Sequence, residues 1–324
     1  MFCSNCGSQV AETARFCVGC GTPVKQAPPP VAHGASKCSW CGADVDPTQS
    51  SCPRCGATLN ISGLVTRSGW VQLPGRKDMA KLQFGNSFCQ IEGLYVPVAD
   101  FKLAATDGIY FTHHVLLWKD PQINVTTMPL AGAWKRLFAG MPLIMTQAQG
   151  PGHIAFSRDA PGEMIAVPIH PGQVLDVREH LFLVATNNVV YDWFATNVWF
   201  RTKSGDDTET HYPAGMFMDR FASPQSPGLL LLHAAGNVFI RQLAAGQTIL
   251  VKPTALVFKD PTVQMHLHFE QPSTGFSMWG SWSNRYLWLR LSGPGRVAVQ
   301  SVFDRIEGES RNMYDYSYAT QTRW

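Results

Sequence analysis

From about residue 65 onward, apolar and polar residues alternate over short runs that end in glycine or proline. Leu175 and Val177 alternate with Val174, Asp176 and Arg178. Met265, Leu267 and Phe269 alternate with His266, His268 and Glu270. A period of two sends successive side chains to opposite faces of a strand, so each run predicts a β-strand with one buried face. Helical periodicity is scarce, and Ala133–Phe138 has room for only about one turn or two. The 28 glycines, 22 prolines and 10 tryptophans agree with many short strands and turns. No apolar run approaches the roughly 18–20 residues of a membrane helix. Leu137 to Met145 and Gly228 to Leu232 are both interrupted by glycine, proline or histidine.

The strand pattern recurs along the chain. Gly150-Pro151-Gly152-His153-Ile154-Ala155-Phe156 returns in the last quarter as Gly293-Pro294-Gly295-Arg296-Val297-Ala298-Val299. Val115-Leu116-Leu117-Trp118-Lys119-Asp120-Pro121 returns as Ala255-Leu256-Val257-Phe258-Lys259-Asp260-Pro261. Gly162, Gly172, Gln173, Val177 and Val189 precede Gly236, Gly246, Gln247, Val251 and Val263 at one constant offset. Residues 65–308 are therefore expected to form one mainly β domain built from about three internal repeats. A unit this small cannot cover its own apolar face, so the copies must pack on one another.

The N-terminal segment, residues 1–58, carries different chemistry. Cys3, Cys6, Cys17 and Cys20 form two C-x-x-C pairs, and Cys38, Cys41, Cys52 and Cys55 repeat the pattern with the same internal spacing. Gly7, Gly21, Gly42 and Gly56 follow the second cysteine of each pair. Two residues between cysteines let a tight turn aim both sulfurs at one ion, and glycine tolerates the positive φ of that turn. Two such turns complete a tetrahedral zinc site with Zn–S distances of about 2.3 Å. Disulfide and redox use are the competing readings. However, disulfide frameworks rarely double the C-x-x-C pair, and a thioredoxin-like site has one pair beside a βαβ unit. Met1-Phe2-Cys3 begins the motif at once, so no signal peptide is expected.

The expectation is two structural Zn²⁺ ions, in a ribbon over residues 1–24 and a second over 37–58. Residues 25–36, with Pro28-Pro29-Pro30, form a stiff extended linker. Each ribbon is too short to bury a core, so metal binding supplies its folding energy. Sulfur fills all four positions on each ion, which leaves none for substrate. Thiolate ligands point to a reducing, cytoplasmic setting. Net charge is only +3, and the basic side chains of the N-terminal segment (Arg15, Lys25, Lys37 and Arg54) are nearly balanced by Glu12, Asp44 and Asp46. This is not the basic footprint of a nucleic-acid binder.

The Gly-Pro-Gly strand, the segment Trp134-Lys135-Arg136-Leu137-Phe138-Ala139-Gly140 and the phrase Pro171-Gly172-Gln173-Val174-Leu175-Asp176-Val177 resemble the altered-inheritance-of-mitochondria β-domain family. The resemblance covers roughly residues 65–308. One departure is Met141, where the family often has an acidic residue. The resemblance implies a β-sandwich like that of the tryptophan RNA-binding attenuation protein, a relative of double-stranded β-helices. Mitochondrial members of the family are associated with inner-membrane organisation. The family assigns no catalytic residues, and none is carried over.

Elsewhere, one constellation invites a catalytic reading. His266, His268 and Glu270 share one strand face, and two histidines with a carboxylate can hold a metal with open positions. Glu270 follows too closely for a cupin pattern, and the bland reading is a polar face opposite Met265, Leu267 and Phe269. His114 and His180 hold equivalent repeat positions and are expected to serve packing. Lys203 to Thr210, with Asp206, Asp207 and Glu209, is expected to be a solvated hairpin loop, and Cys89 a buried core thiol. The tail 309–324, with Tyr314, Tyr316, Tyr318 and Trp324, fits disorder, an added edge strand or a partner-binding segment equally well.

The chain as a whole is expected to be a non-enzymatic interaction or scaffold protein. Its partners are expected to be proteins, including further copies of itself, with peripheral membrane association as another mode. A cupin-like enzyme centred on His266, His268 and Glu270 is the alternative, and nucleic-acid binding a minor one.

Overall fold

The structure is a computed structural model that describes residues 9, 19–20, 36–38, 43–45, 52–54, 70–72, 80–93, 95–128, 145–270, 286–304 and 313–317. Packing divides the chain into two units, Met1–Ser36 and Lys37–Trp324. The segments Ala133–Phe138 and Trp134–Gly140 and linker residues 25–35 lie outside the described residues.

The β domain is a set of face-packed antiparallel sheets. A five-stranded sheet runs Ala80–Phe84, Ser87–Glu92, Val98–Leu103, Gly152–Ser157, Leu116–Lys119 in spatial order. A six-stranded sheet runs Glu163–Ile169, Gly228–Ala234, Phe182–Thr186, Gly108–Thr112, Met145–Gln149, Asn124–Met128. A seven-stranded sheet runs Val190–Ala195, Phe217–Ala222, Val174–Arg178, Leu256–Lys259, Gly295–Gln300, Val238–Leu243, Val71–Gln72. A three-stranded sheet holds Thr248–Val251, Tyr286–Ser292 and Gln264–Glu270.

One pairing order recurs through these sheets. Take the six strands from Val98–Leu103 to Gly152–Ser157 as a first set, from Glu163–Ile169 to Gly228–Ala234 (omitting an inserted hairpin) as a second, and from Val238–Leu243 to Gly295–Gln300 as a third. In every set the first strand pairs with the sixth and the sixth with the third, while the second pairs with the fifth and the fifth with the fourth. Each third strand carries a bulge at the same place, on Leu117, Leu183 and Val257. The extra residue sharpens the local twist and turns the strand toward its neighbour.

The recurring motifs are the corners of this plan. The Asp120 carboxylate accepts the His153 backbone N–H at 2.7 Å, and Asp260 accepts that of Arg296 at 2.7 Å. In the second set Thr186 does the same for Leu229 with its hydroxyl, at 3.0 Å. The Asp-Pro turn thus caps the start of the strand that follows Gly-Pro-Gly. The second glycine of that motif is obligatory for space as well as for φ. A Cβ on Gly152 (φ 143°) would meet Ile123 Cγ1 at 2.9 Å, and one on Gly295 (φ 139°) would meet Val263 Cγ2 at 2.8 Å.

Three apolar cores lie between the sheets. Phe84, Phe101, Phe156 and Phe111 form a chain of ring contacts in the first, with centroid separations of 5.7, 5.6 and 4.6 Å. Phe182, Tyr191 and Phe221 cluster in the second. In the third, Leu287, Leu289 and Leu291 alternate inward along one strand while Tyr286, Trp288 and Arg290 face the other way. Burying each leucine fully is worth about 1.5–3 kcal/mol.

The strand Val174–Arg178 departs from its expected one-sided burial. Asp176 is wholly buried along with Leu175 and Val177: the latter two face a core, and Asp176, on the opposite face, is enclosed with Arg220 and Lys259 from the two neighbouring strands. The span Lys203–Thr210, expected to be a loop, is mostly paired strand: Phe200–Ser204 and Asp207–His211 form a hairpin in which Asp207 and Glu209 lie on the second strand and only Gly205 and Asp206 make the exposed turn. Within the tail, Met313–Tyr316 adds to this hairpin as an edge strand against Phe200–Ser204, while residues 309–312 and 318–324 lie outside the described residues. Ser317 locks it there: the Trp199 backbone N–H donates to its hydroxyl at 3.0 Å, and its own N–H donates to the Trp199 carbonyl at 2.9 Å.

Candidate functional sites

Of the first C-x-x-C-G run of the second ribbon, the described residues are Cys38 and the flanking residues on either side. The Cys38 N–H donates to the Ala43 carbonyl at 2.8 Å, which holds the two ends of the run together. Lys37 and Asp44 flank it as an exposed ion pair at 3.4 Å, worth little by itself. Cys38 and Cys52 are both buried, together with Val45, whereas Pro53-Arg54 and Gly19-Cys20 lie in turns and Cys20 is exposed. Two cysteine thiols withdrawn from solvent fit the donor set of a zinc site. The remaining expected ligands, Cys3, Cys6, Cys17, Cys41 and Cys55, lie outside the described residues.

His266, His268 and Glu270 do share a face of Gln264–Glu270, opposite buried Met265 and Leu267 and half-buried Phe269. Their cross-strand partners are Arg290, Trp288 and Tyr286. The Glu270 carboxylate accepts the Trp288 indole N–H at 2.8 Å. Burial first, and then the Arg290 guanidinium, hold His266 below the ordinary histidine value. Glu270 is thus engaged by an indole, and His266 lies across from an exposed guanidinium. Among the described residues no three His, Cys, Asp or Glu side chains are placed to hold a metal.

Periodicity does not reveal the densest charged group in the domain. Asp176 binds Arg220 through both oxygens, at 2.7 and 3.0 Å, and Lys259 Nζ at 2.9 Å. Asp176 and Lys259 are fully buried, while the Arg220 side chain reaches the surface over the Phe194 ring. Burial pushes the Lys259 amine below its ordinary value, against the pull of Asp176. The hydrogen bond to Asp176 raises Arg220. Both cations are distant from the aspartate in sequence, so no local pattern joins them. Cys89 is buried in the first core, as expected. His114 and His180 do occupy matching positions ahead of their strands, but both are exposed rather than packed inside.

Three histidines give the fold a pH dependence. His233 is buried, with its ring N–H donating to the Ala160 carbonyl at 3.0 Å, and burial together with nearby Arg158 outweighs that bond and lowers its pKa. His114 is lowered by partial burial, then by Arg158, His113 and His180. With His266 also lowered, the unfolded chain takes up protons near its ordinary value of about 6.5 before the native one does. Stability is therefore full above that value and declines as pH falls toward the native values. Urea midpoints compared at neutral and mildly acidic pH are expected to show this loss, and His233→Gln is expected to reduce it. A midpoint that rises on acidification would contradict the assignment.

The last site consists of two of the strands that end a sheet among the described residues. Leu116–Lys119 ends the five-stranded sheet, with Leu117 and Trp118 52% and 48% exposed. Thr248–Val251 ends a three-stranded sheet, with Leu250 41% exposed. Unpaired N–H and C=O groups beside large apolar side chains make a template for another strand.

Sheets packed face to face, preceded in the chain by paired C-x-x-C motifs, define a zinc-ribbon β-sandwich protein. The family model described as Mitochondrial biogenesis AIM24 matches residues 89–302, most of the chain, and the chain belongs to that family. Residues 3–56 match the Double zinc ribbon family, which marks this segment as a zinc-binding region. Among solved structures, the crystal structure of protein SPYM3_0169 from Streptococcus pyogenes is similar at 15% identity, covering 67% of this chain and 94% of that one, with a TM-score of 0.47. No functionally curated protein matches the chain. Among the described residues no helix is long and apolar enough to cross a membrane.

Proposed function

We propose that this protein is a non-enzymatic interaction scaffold. Its two ribbons, each folded on one Zn²⁺ by four thiolates, act as adaptors for protein partners. The β domain, read as three internal repeats, assembles with itself or docks peripherally onto a membrane complex. The observation that carries the reading is the pair of bare, apolar strand edges, which suits assembly rather than turnover. Closed four-sulfur zinc sites agree, because they leave no position for a substrate. Thiolate ligation also favours a reducing compartment such as the cytoplasm.

Affinity capture with the full chain and with a chain lacking residues 1–58 tests the division of labour. Partners lost on truncation place recruitment on the ribbons. An unchanged partner set sinks that assignment and leaves binding to the β domain.

A further inference from the structure

The β domain makes one kind of junction twice. The second strand of the first set pairs with the third strand of the second set, Phe111 opposite Val184 and Tyr110 opposite Ala185. The second strand of the second set pairs likewise with the third strand of the third set, Val177 opposite Phe258 and Asp176 opposite Lys259. All eight of these residues are buried. Each set therefore presents a second-strand edge to the next set and a third-strand edge to the one before.

One edge of each kind is left over among the described residues: the third strand of the first set, Leu116–Lys119, and the second strand of the third set, Thr248–Val251. The bulge places Leu117 and Trp118 in register with Leu183 and Val184 and with Val257 and Phe258. Those four are at most 1% exposed, whereas Leu117 and Trp118 are about half exposed. Leu250 is the counterpart of Asp176, at the offset that relates Val177 to Val251, and is 41% exposed where Asp176 is 0%. A cleft of about 400 Å³ lies against this second edge, with Leu250, Val251, Lys252 and Trp288 in its wall.

We infer that the chain assembles head to tail with a second copy of itself, the Leu116–Lys119 edge of one copy pairing antiparallel with the Thr248–Val251 edge of the other. The register carries over from the internal junctions: Trp118 stands opposite Val251, as Phe258 stands opposite Val177, and Lys119 stands opposite Leu250. In the internal junction Arg178 Nε donates to the Leu256 carbonyl across the seam at 2.8 Å. Lys252, the counterpart of Arg178 at the same offset, sits with its ammonium 4.5 Å from the Trp288 ring centre, within reach of the incoming Leu116 carbonyl. A second copy is the occupant because the chain carries one spare of each complementary half, and because both internal junctions cover a second-strand edge with a third-strand edge. Such a contact is heterologous, so it propagates until it closes a ring or forms a filament.

This inference rests on the scaffold reading and is tested apart from it. Sedimentation velocity of the full chain over a wide concentration range is expected to show mass rising in whole-chain steps. Trp118→Lys and Leu250→Lys each remove one half of the junction at an exposed position, so each variant is expected to be a folded single chain by circular dichroism. An equimolar mixture of the two keeps one intact half from each and is expected to form a one-to-one dimer and stop there. A wild-type chain that stays single at every concentration overturns the inference, as does assembly untouched by either substitution. Variants that remain single when mixed point to a symmetric contact and also overturn it. If capture still returns ribbon-dependent partners in any of these cases, the scaffold reading stands and only the second copy falls.

Discussion

Asp176→Ala is expected to destabilise the β domain by about 3–5 kcal/mol, the cost of leaving a buried charge without its partner. Asp176 accepts hydrogen bonds from two cations, and one of them, Lys259, has no exposed surface. Without the carboxylate, Arg220 can turn outward, since 38% of its side chain already meets solvent. Lys259 cannot, and must either lose its proton or pull water into the sheet. The damage falls on the seam between the second and third sets, where Asp176 stands directly opposite Lys259. Urea unfolding followed by circular dichroism measures the loss. Asp176→Leu combined with Lys259→Met removes both buried charges and is expected to recover much of it, because apolar replacements of buried pairs are often neutral. A single-site loss under about 1 kcal/mol would show that the charge is not held dry.

Cys38→Ser is expected to abolish metal binding in the second ribbon and to unfold residues 37–58. Structural zinc in ribbons of this size contributes an apparent stabilisation of about 10–16 kcal/mol, far more than the few apolar side chains of the ribbon can supply. Val45 is the one apolar side chain other than cysteine that is buried among the described ribbon residues. Serine retains the hydrogen bond between the residue 38 N–H and the Ala43 carbonyl but offers a poor ligand in place of a thiolate. Plasma mass spectrometry is expected to find two zinc ions per wild-type chain and one in the variant. Undiminished zinc in Cys38→Ser would remove this cysteine from the ligand set.

How far such features are legible in the sequence depends on how local their physics is. The strand Tyr286–Ser292 can be read directly, because Leu287, Leu289 and Leu291 alternate with residues that face away from the core. The Gly-Pro-Gly and Asp-Pro corners are equally visible, since the carboxylate and the glycine act within one turn of chain geometry. The same periodicity misleads at Val174–Arg178. Alternation reports which side chains share a face, and it cannot report that Arg220 and Lys259 from the neighbouring strands close around Asp176 on the other face. For His266, His268 and Glu270, alternation places the three on one face correctly. Their meaning is set by Arg290 and Trp288 on the neighbouring strand. The tail shows the limit most plainly: Met313–Tyr316 becomes a strand because Phe200–Ser204, far earlier in the chain, leaves an edge for it.

The sequence by itself therefore determines the repeated C-x-x-C motif of the zinc-ribbon segment and the β class of the domain, both of which arise from spacing within a turn or a strand. Only the tertiary structure decides which strand edges are covered, which charges go dry, and that Leu117, Trp118 and Leu250 stay exposed while their counterparts are buried. The reason is physical. A β-strand has two edges and two faces, and what covers them comes from residues far away along the chain.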